Sequence, residues 1–135
     1  MKVAVDTNVL VSAAIADGPP RRILELAAEG DFDLVVSQYA LRELERILTE
    51  KLGLDREAVF ALLELVEELC PIPIPTPEAV TALSGDPDDD KIIAASTAAG
   101  ADYLVSGDTK HVLPLGRLGE MQILRPQDLL ARLRS

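Results

Sequence analysis

Four acidic residues stand where α/β proteins concentrate their chemistry. Asp6 ends the apolar run Val3-Ala4-Val5, which reads as a buried parallel strand presenting an acid at its carboxyl end. Asp108 follows a second such run, Tyr103-Leu104-Val105, after Ser106 and Gly107. In an open α/β sheet, ligand sites gather beyond the carboxyl ends of the strands, so both positions are informative. Asp90 falls in the first turn of an expected helix that precedes the Tyr103 strand, and Glu43 falls one to two turns into another helix. Carboxylates converging from four separate elements repel one another and need positive charge between them. A hard divalent cation meets that need. Mg²⁺ or Mn²⁺ is favoured over zinc, because neither His nor Cys accompanies the acids.

The elements that must position these acids alternate along the chain. After the first strand, a helix is expected through Leu10 to Ala16, broken by Gly18-Pro19-Pro20. Ile23, Leu24, Leu26 and Ala27 mark a second helix ending near Gly30. Phe32-Asp33-Leu34-Val35-Val36 reads as a strand, with Ser37 as the N-cap of a helix carrying Leu41, Leu44, Leu48 and Leu52. A further helix should start at Asp55, with Val59, Leu62, Leu63, Val66 and Leu69 on its buried stripe. Pro71 to Pro77 holds four alternating prolines, which lack the amides of an internal strand, so it should be an extended edge or connector. Asp86-Pro87-Asp88-Asp89-Asp90 reads as a helix start, with the helix running to Gly100. Met121-Gln122-Ile123-Leu124 is a fourth strand, leading to a last helix from Pro126. Strands alternating with helices imply a single α/β domain over residues 1–135 with a mostly parallel sheet.

Composition narrows the class. With 48% hydrophobic and 27% charged residues, the chain has globular usage and enough length for one core. One cysteine, Cys70, rules out an internal disulfide, and a reducing cytoplasm is the expected compartment. An acid at position 6 interrupts any signal-peptide apolar region, and no apolar stretch reaches membrane-spanning length, so a soluble protein without a membrane partner is expected. The net charge of -10 weighs against general nucleic-acid binding, where Lys and Arg neutralise phosphates. A nucleic-acid substrate would need a local basic rim, a basic partner, or metal-bridged phosphate contacts.

Several segments together resemble the PIN-domain family. Asp6-Thr7-Asn8-Val9-Leu10-Val11-Ser12 is similar to its opening motif, and Ser37-Gln38-Tyr39-Ala40-Leu41-Arg42-Glu43-Leu44 to the segment bearing its central acid. Asp86-Pro87-Asp88-Asp89-Asp90-Lys91-Ile92-Ile93-Ala94-Ala95 and Gly100 through Asp108 resemble the third and fourth motifs in order. The closing Ile123 to Leu130 is similar to one branch, the VapC-like toxins of bacterial toxin-antitoxin pairs. The resemblance covers nearly the whole chain. It implies a three-layer α/β/α fold and a metal-dependent nuclease hydrolysing phosphodiester bonds in single-stranded RNA. It makes Asp6, Glu43, Asp90 and Asp108 the metal ligands, and Asn8 and Ser106 second-shell or substrate-orienting groups. An antitoxin partner and a homodimer or higher oligomer are also implied.

The same residues admit plainer roles. Acids at helix starts commonly serve as caps, and Asp88 and Asp89 are read chiefly that way. His111 is read as incidental, Cys70 as packed, and Arg21, Arg22, Lys91 and Lys110 as mostly solvated with some potential for phosphate contact. Two other functions compete. A Mg²⁺-dependent phosphatase or phosphoryl-accepting domain would use Asp6 as nucleophile, but one form wants a second Asp where Asn8 stands and another wants a strand-end Lys. A non-catalytic binding module with the same fold is disfavoured by the presence of all four acids.

Overall fold

The computed structural model describes residues 1–134. Five strands form one sheet: β1 (Lys2–Val5), β2 (Asp33–Val35), β3 (Tyr103–Val105), β4 (Arg117–Leu118) and β5 (Met121–Leu124). Their spatial order is β2-β1-β3-β5-β4, with every pair parallel except β4 with β5. Val3, Ala4 and Val5 are all buried, as a central parallel strand covered on both faces requires. Among the described residues, six α-helices flank the sheet in a three-layer α/β/α domain: α1 (Thr7–Ile15), α2 (Pro19–Ala28), α3 (Gln38–Arg46), α4 (Arg56–Leu69), α5 (Pro87–Ala98) and α6 (Pro126–Leu133). The longest has 14 residues, and none is long and apolar enough to cross a membrane.

Local chemistry sets the helix starts. Asp6, Ser37 and Asp55 are N-caps whose side chains accept hydrogen bonds from the backbone N–H of Val9 (2.9 Å), Ala40 (2.9 Å) and Ala58 (2.8 Å). Asp86 caps α5 through the Asp88 N–H (2.9 Å), with Pro87 in the first turn. The helix expected from Leu10 begins three residues earlier, because Asp6 both ends β1 and caps α1. The helix expected to continue through Leu48 and Leu52 widens after Arg46 into a π-helical turn, Ile47–Lys51. Leu10, Ile23, Leu44, Leu48, Leu104 and Leu129 are among the fully buried core side chains.

One strand was not foreseen. β4 is only two residues long and returns to β5 through Gly119-Glu120, with Leu118 opposite Met121 and Gly119 at φ 59°. A positive φ at the first position of a two-residue hairpin loop is the conformation glycine supplies without a Cβ clash. The proline-rich connector meets the chain just past the carboxyl end of β2. Ile74 donates to the Val36 carbonyl (2.9 Å) and its own carbonyl accepts from Gln38 (2.8 Å), giving one isolated parallel bridge with Ser37.

The chain leaves β1 toward β2 on one side and leaves β3 toward β5 on the other. Adjacent strands β1 and β3 therefore bound a topological switch point, and the crevice beyond their carboxyl ends is where such a sheet accepts ligands.

Candidate active site

Asp6 follows β1 directly, its N–H completing the ladder to the Val105 carbonyl (3.1 Å), and its side chain is 4% exposed. One carboxylate oxygen accepts from Val9 N–H (2.9 Å) and the other from the Ser106 hydroxyl. Burial pushes the Asp6 carboxyl above its ordinary range against both hydrogen bonds, and the charge of Asp108 pushes the same way. Ser106, fully buried at the end of β3, also accepts from the Asp108 N–H (3.0 Å). One hydroxyl thus ties the two strand-end acids together.

Asp108 sits in the loop after β3, where one oxygen accepts from the backbone N–H groups of Lys110 and His111, both at 2.8 Å. Burial acts to raise its carboxyl, but those two bonds, a proton donated by Asp89 and the nearby His111 outweigh burial and hold it low. Asp89 is the donor in that pair and is displaced the other way, to about 7. Desolvation is the largest cause, followed by the charges of Asp86 and Asp108, the hydrogen bond with Asp108 and the charge of Asp6. With Asp89 raised to about 7 and Asp108 held low, the pair favours keeping a proton on Asp89 below about pH 7.

A crevice of about 130 Å³ beside Asp108 is lined by Asp6, Thr7, Asn8, Tyr39, Glu43, Ile47, Asp88, Asp89 and Ile92, and Asp108 meets it through its hydrogen bond with Asp89. Glu43 enters from α3, paired with Arg46 one turn on (2.8 Å). Lys91 pairs with Asp88 (3.6 Å) and lies 4.7 Å from the centre of the Tyr39 ring. Burial, a hydrogen bond to Asp88 and the charge of Glu43 push the Tyr39 phenol well above its ordinary range. Asn8 is exposed at the mouth. The Thr7 hydroxyl is buried in the lining and has no hydrogen-bond partner among the described residues.

The structure brings Asp6, Glu43 and Asp108 to this end of the sheet as the sequence suggested, but not Asp90. Its Oδ1 accepts from Leu83 N–H (3.1 Å), Ser84 N–H (2.8 Å) and the Ser84 hydroxyl (2.8 Å), and its side chain borders a separate cavity with Ile93, Ala94 and Thr97. The reason is helical phase. Residues three and four apart share a helix face, so Asp90 goes with Ile93, Ala94 and Thr97, whereas Asp89 goes with Ile92, which lines the crevice. Asp89, read from sequence as a cap, is the acid from α5 that enters the site. Its relation to Ile92 was the available signal. Thr7, Tyr39 and Arg46 were also missed; each lies within one turn of an expected site residue.

Of the basic residues considered as phosphate contacts, Lys91 stands at the crevice. Arg21 instead binds the carbonyls of Ala13 (2.9 Å) and Ala14 (3.3 Å) and pairs with Asp17 (2.7 Å), while Arg22 pairs with Glu25 and Glu29.

The donor chemistry fits a divalent cation: an all-oxygen set, short of positive charge, with one carboxyl, Asp89, pushed up by burial and acidic neighbours and an unpartnered hydroxyl beside it. Among the described residues, no group of three or more His, Cys, Asp or Glu is already arranged to hold a metal ion, so side chains would have to turn to enclose one.

An acid-lined crevice at the switch point of a β2-β1-β3-β5-β4 sheet defines the class as a three-layer α/β/α domain with a carboxylate site. A family profile described as PIN domain matches residues 2–110. The chain belongs to the PIN domain family. A chain in the crystal structure of VapBC2 from Rickettsia felis bound to a DNA fragment from their promoter is similar in fold, with a TM-score of 0.63. It is 20% identical, and the match covers 91% of this chain and 97% of that one. No curated protein matches the chain.

Proposed function

We propose that this chain is a metal-dependent endoribonuclease that hydrolyses phosphodiester bonds in single-stranded RNA, as the toxin component of a toxin-antitoxin pair. The observation that carries the reading is the meeting of Asp6, Asp89 and Asp108 at the switch point, with Glu43 in the same crevice. These four side chains would hold Mg²⁺ or Mn²⁺. When bound, the ion supplies charge neutralisation and Lewis acidity toward a phosphoryl oxygen.

The chain's own groups do the rest. Ser106 and the Val9 N–H fix both oxygens of Asp6, and the amides of Lys110 and His111 fix one oxygen of Asp108. Arg46 and Lys91 provide the local positive rim that the overall charge of -10 makes necessary. A flexible single strand can present a phosphate to so small a recess, whereas a regular duplex would have to deform. The toxin assignment is supported by the VapC-like closing segment and by the fold shared with a chain of the VapBC2 structure.

The test is digestion of single-stranded RNA oligonucleotides with and without millimolar Mn²⁺, using the parent chain, Asp6→Asn and Asp89→Asn. Metal-dependent cleavage by the parent alone is expected. Cleavage by a clean Asp6→Asn preparation, or cleavage that persists in chelator, would overturn the reading.

A further inference from the structure

Asp90 is 5% exposed, charged, and spends one oxygen on three donors from the segment just before α5. So much hydrogen bonding from one buried carboxylate fixes Leu83 and Ser84 against the first turn of the helix. Ser84 passes the constraint onward. Its hydroxyl accepts from the Asp86 N–H (3.1 Å), the residue that caps α5, and its carbonyl faces His111 Nδ1 at 3.2 Å. A carbonyl only accepts, so Nδ1 is the protonated nitrogen of that ring. The backbone N–H of the same His111 donates to Asp108. Asp108 then connects through Ser106 to Asp6.

A continuous chain of bonds therefore runs Asp90–Ser84–His111–Asp108–Ser106–Asp6. It joins the start of α5 to the loop after β3, the two elements that carry the paired acids Asp89 and Asp108.

We infer that Asp90 is a positioning residue. By clamping Ser84 it holds His111, and through it the Asp108 loop, at the distance from α5 that brings Asp89 and Asp108 into register. The consequence for function rests on the nuclease reading above; the coupling itself does not. Supporting groups of this kind act by orienting ligands, and their loss commonly costs about 10–100-fold in metal affinity or activity.

The experiment compares Asp90→Asn with Asp90→Ala. The amide oxygen of Asn can accept the same three bonds, whereas Ala leaves Leu83 and Ser84 without their acceptor. In metal-free protein, hydrogen exchange of the Lys110 and His111 amides should stay near the parent rate in Asp90→Asn and accelerate about tenfold or more in Asp90→Ala. With Mn²⁺, Asp90→Asn should keep the thermal shift and most of kcat, while Asp90→Ala loses about 10–100-fold in kcat with little change in KM. His111→Ala breaks the same chain without touching the buried carboxylate. It should reproduce the exchange and kcat losses, and it decides the question if Asp90→Ala fails to fold.

Loss of the Mn²⁺ shift in Asp90→Asn as complete as in Asp89→Asn would make Asp90 a ligand and overturn the proposal. Unchanged protection of the amides at positions 110 and 111, each relative to its intrinsic exchange rate, in both Asp90→Ala and His111→Ala would also overturn it. If the parent neither binds Mn²⁺ nor cleaves RNA, the nuclease reading fails, and the exchange comparison still decides the coupling.

Discussion

Asp89→Asn should stabilise the metal-free protein, by an amount that depends on pH in a defined direction. The parent carboxyl is raised from an ordinary 3.8 to about 7, first by desolvation and then by the charges of Asp86, Asp108 and Asp6. At full strength such a displacement is worth about 4 kcal/mol, and because Asp89 is only half-buried, solvent screening reduces it to about 1–2 kcal/mol. Below about pH 4 the group is protonated in both folded and unfolded chains and contributes nothing. Between about pH 4 and 7 the folded chain keeps a proton that the unfolded chain has released, so stability falls as pH rises. Above about pH 7 the loss is complete and constant. Asparagine carries no such charge and can still donate to Asp108. At pH 8 the variant should melt about 3–8 °C above the parent, a gap that closes toward pH 4. Thermal denaturation of both proteins in chelator across that range measures the gap. An equal gain at pH 4 and pH 8 would show that charge is not its source, and no gain at pH 8 would refute the crowding of Asp89 by its neighbours.

Other perturbations probe the same crevice. Thr7→Val replaces a buried hydroxyl that lacks a partner with a methyl group of similar shape, and should raise the metal-free melting temperature by a few degrees, corresponding to roughly 1 kcal/mol; a drop of that size would mean the hydroxyl is bonded after all. Millimolar Mn²⁺ should raise the melting temperature of the parent in proportion to RT ln(1 + [L]/Kd) and leave Asp6→Asn nearly unmoved, with equal shifts in both counting against the carboxylate site. In filter binding with the inactive Asp108→Asn variant, affinity for single-stranded RNA should fall with salt at a slope equivalent to about one to three phosphates, because Arg46 and Lys91 are the cations at the rim. A steep slope would point to a larger basic surface elsewhere.

The order of strands and helices was legible because it depends on local chemistry. The Val3–Val5 run, the caps Ser37 and Asp55 and the prolines flanking α2 and α5 each act over a few residues, and each matches the observed element. β4 escaped because two residues carry no periodicity, and the Gly119-Glu120 turn that makes the hairpin is a weak signal without its partner strand. The π-helical turn after Arg46 is likewise invisible to a pattern of leucines, since Leu48 is buried in either geometry. The position of Asp6 and Asp108 at the carboxyl end of the sheet was legible because a strand's end fixes its own direction. The side of α5 that Asp90 takes was not, because three consecutive acids differ only in the rotation of α5 about its axis. That rotation is set by long-range packing of Ile92 and Ile93 rather than by anything inside the triplet.

The connector just past β2 also has a bearing on how copies of this chain meet. Ile74 makes its two bonds to the sheet between Pro73 and Pro75, neither of which has an amide to offer, so the ladder stops after one rung. At the opposite margin β4 is too short to template a further strand. The β4 margin and the chain just past the carboxyl end of β2 thereby offer little to strand addition, the usual route by which exposed edges aggregate. An assembly formed through helix faces would leave the crevice between β1 and β3 unobstructed by a neighbouring sheet.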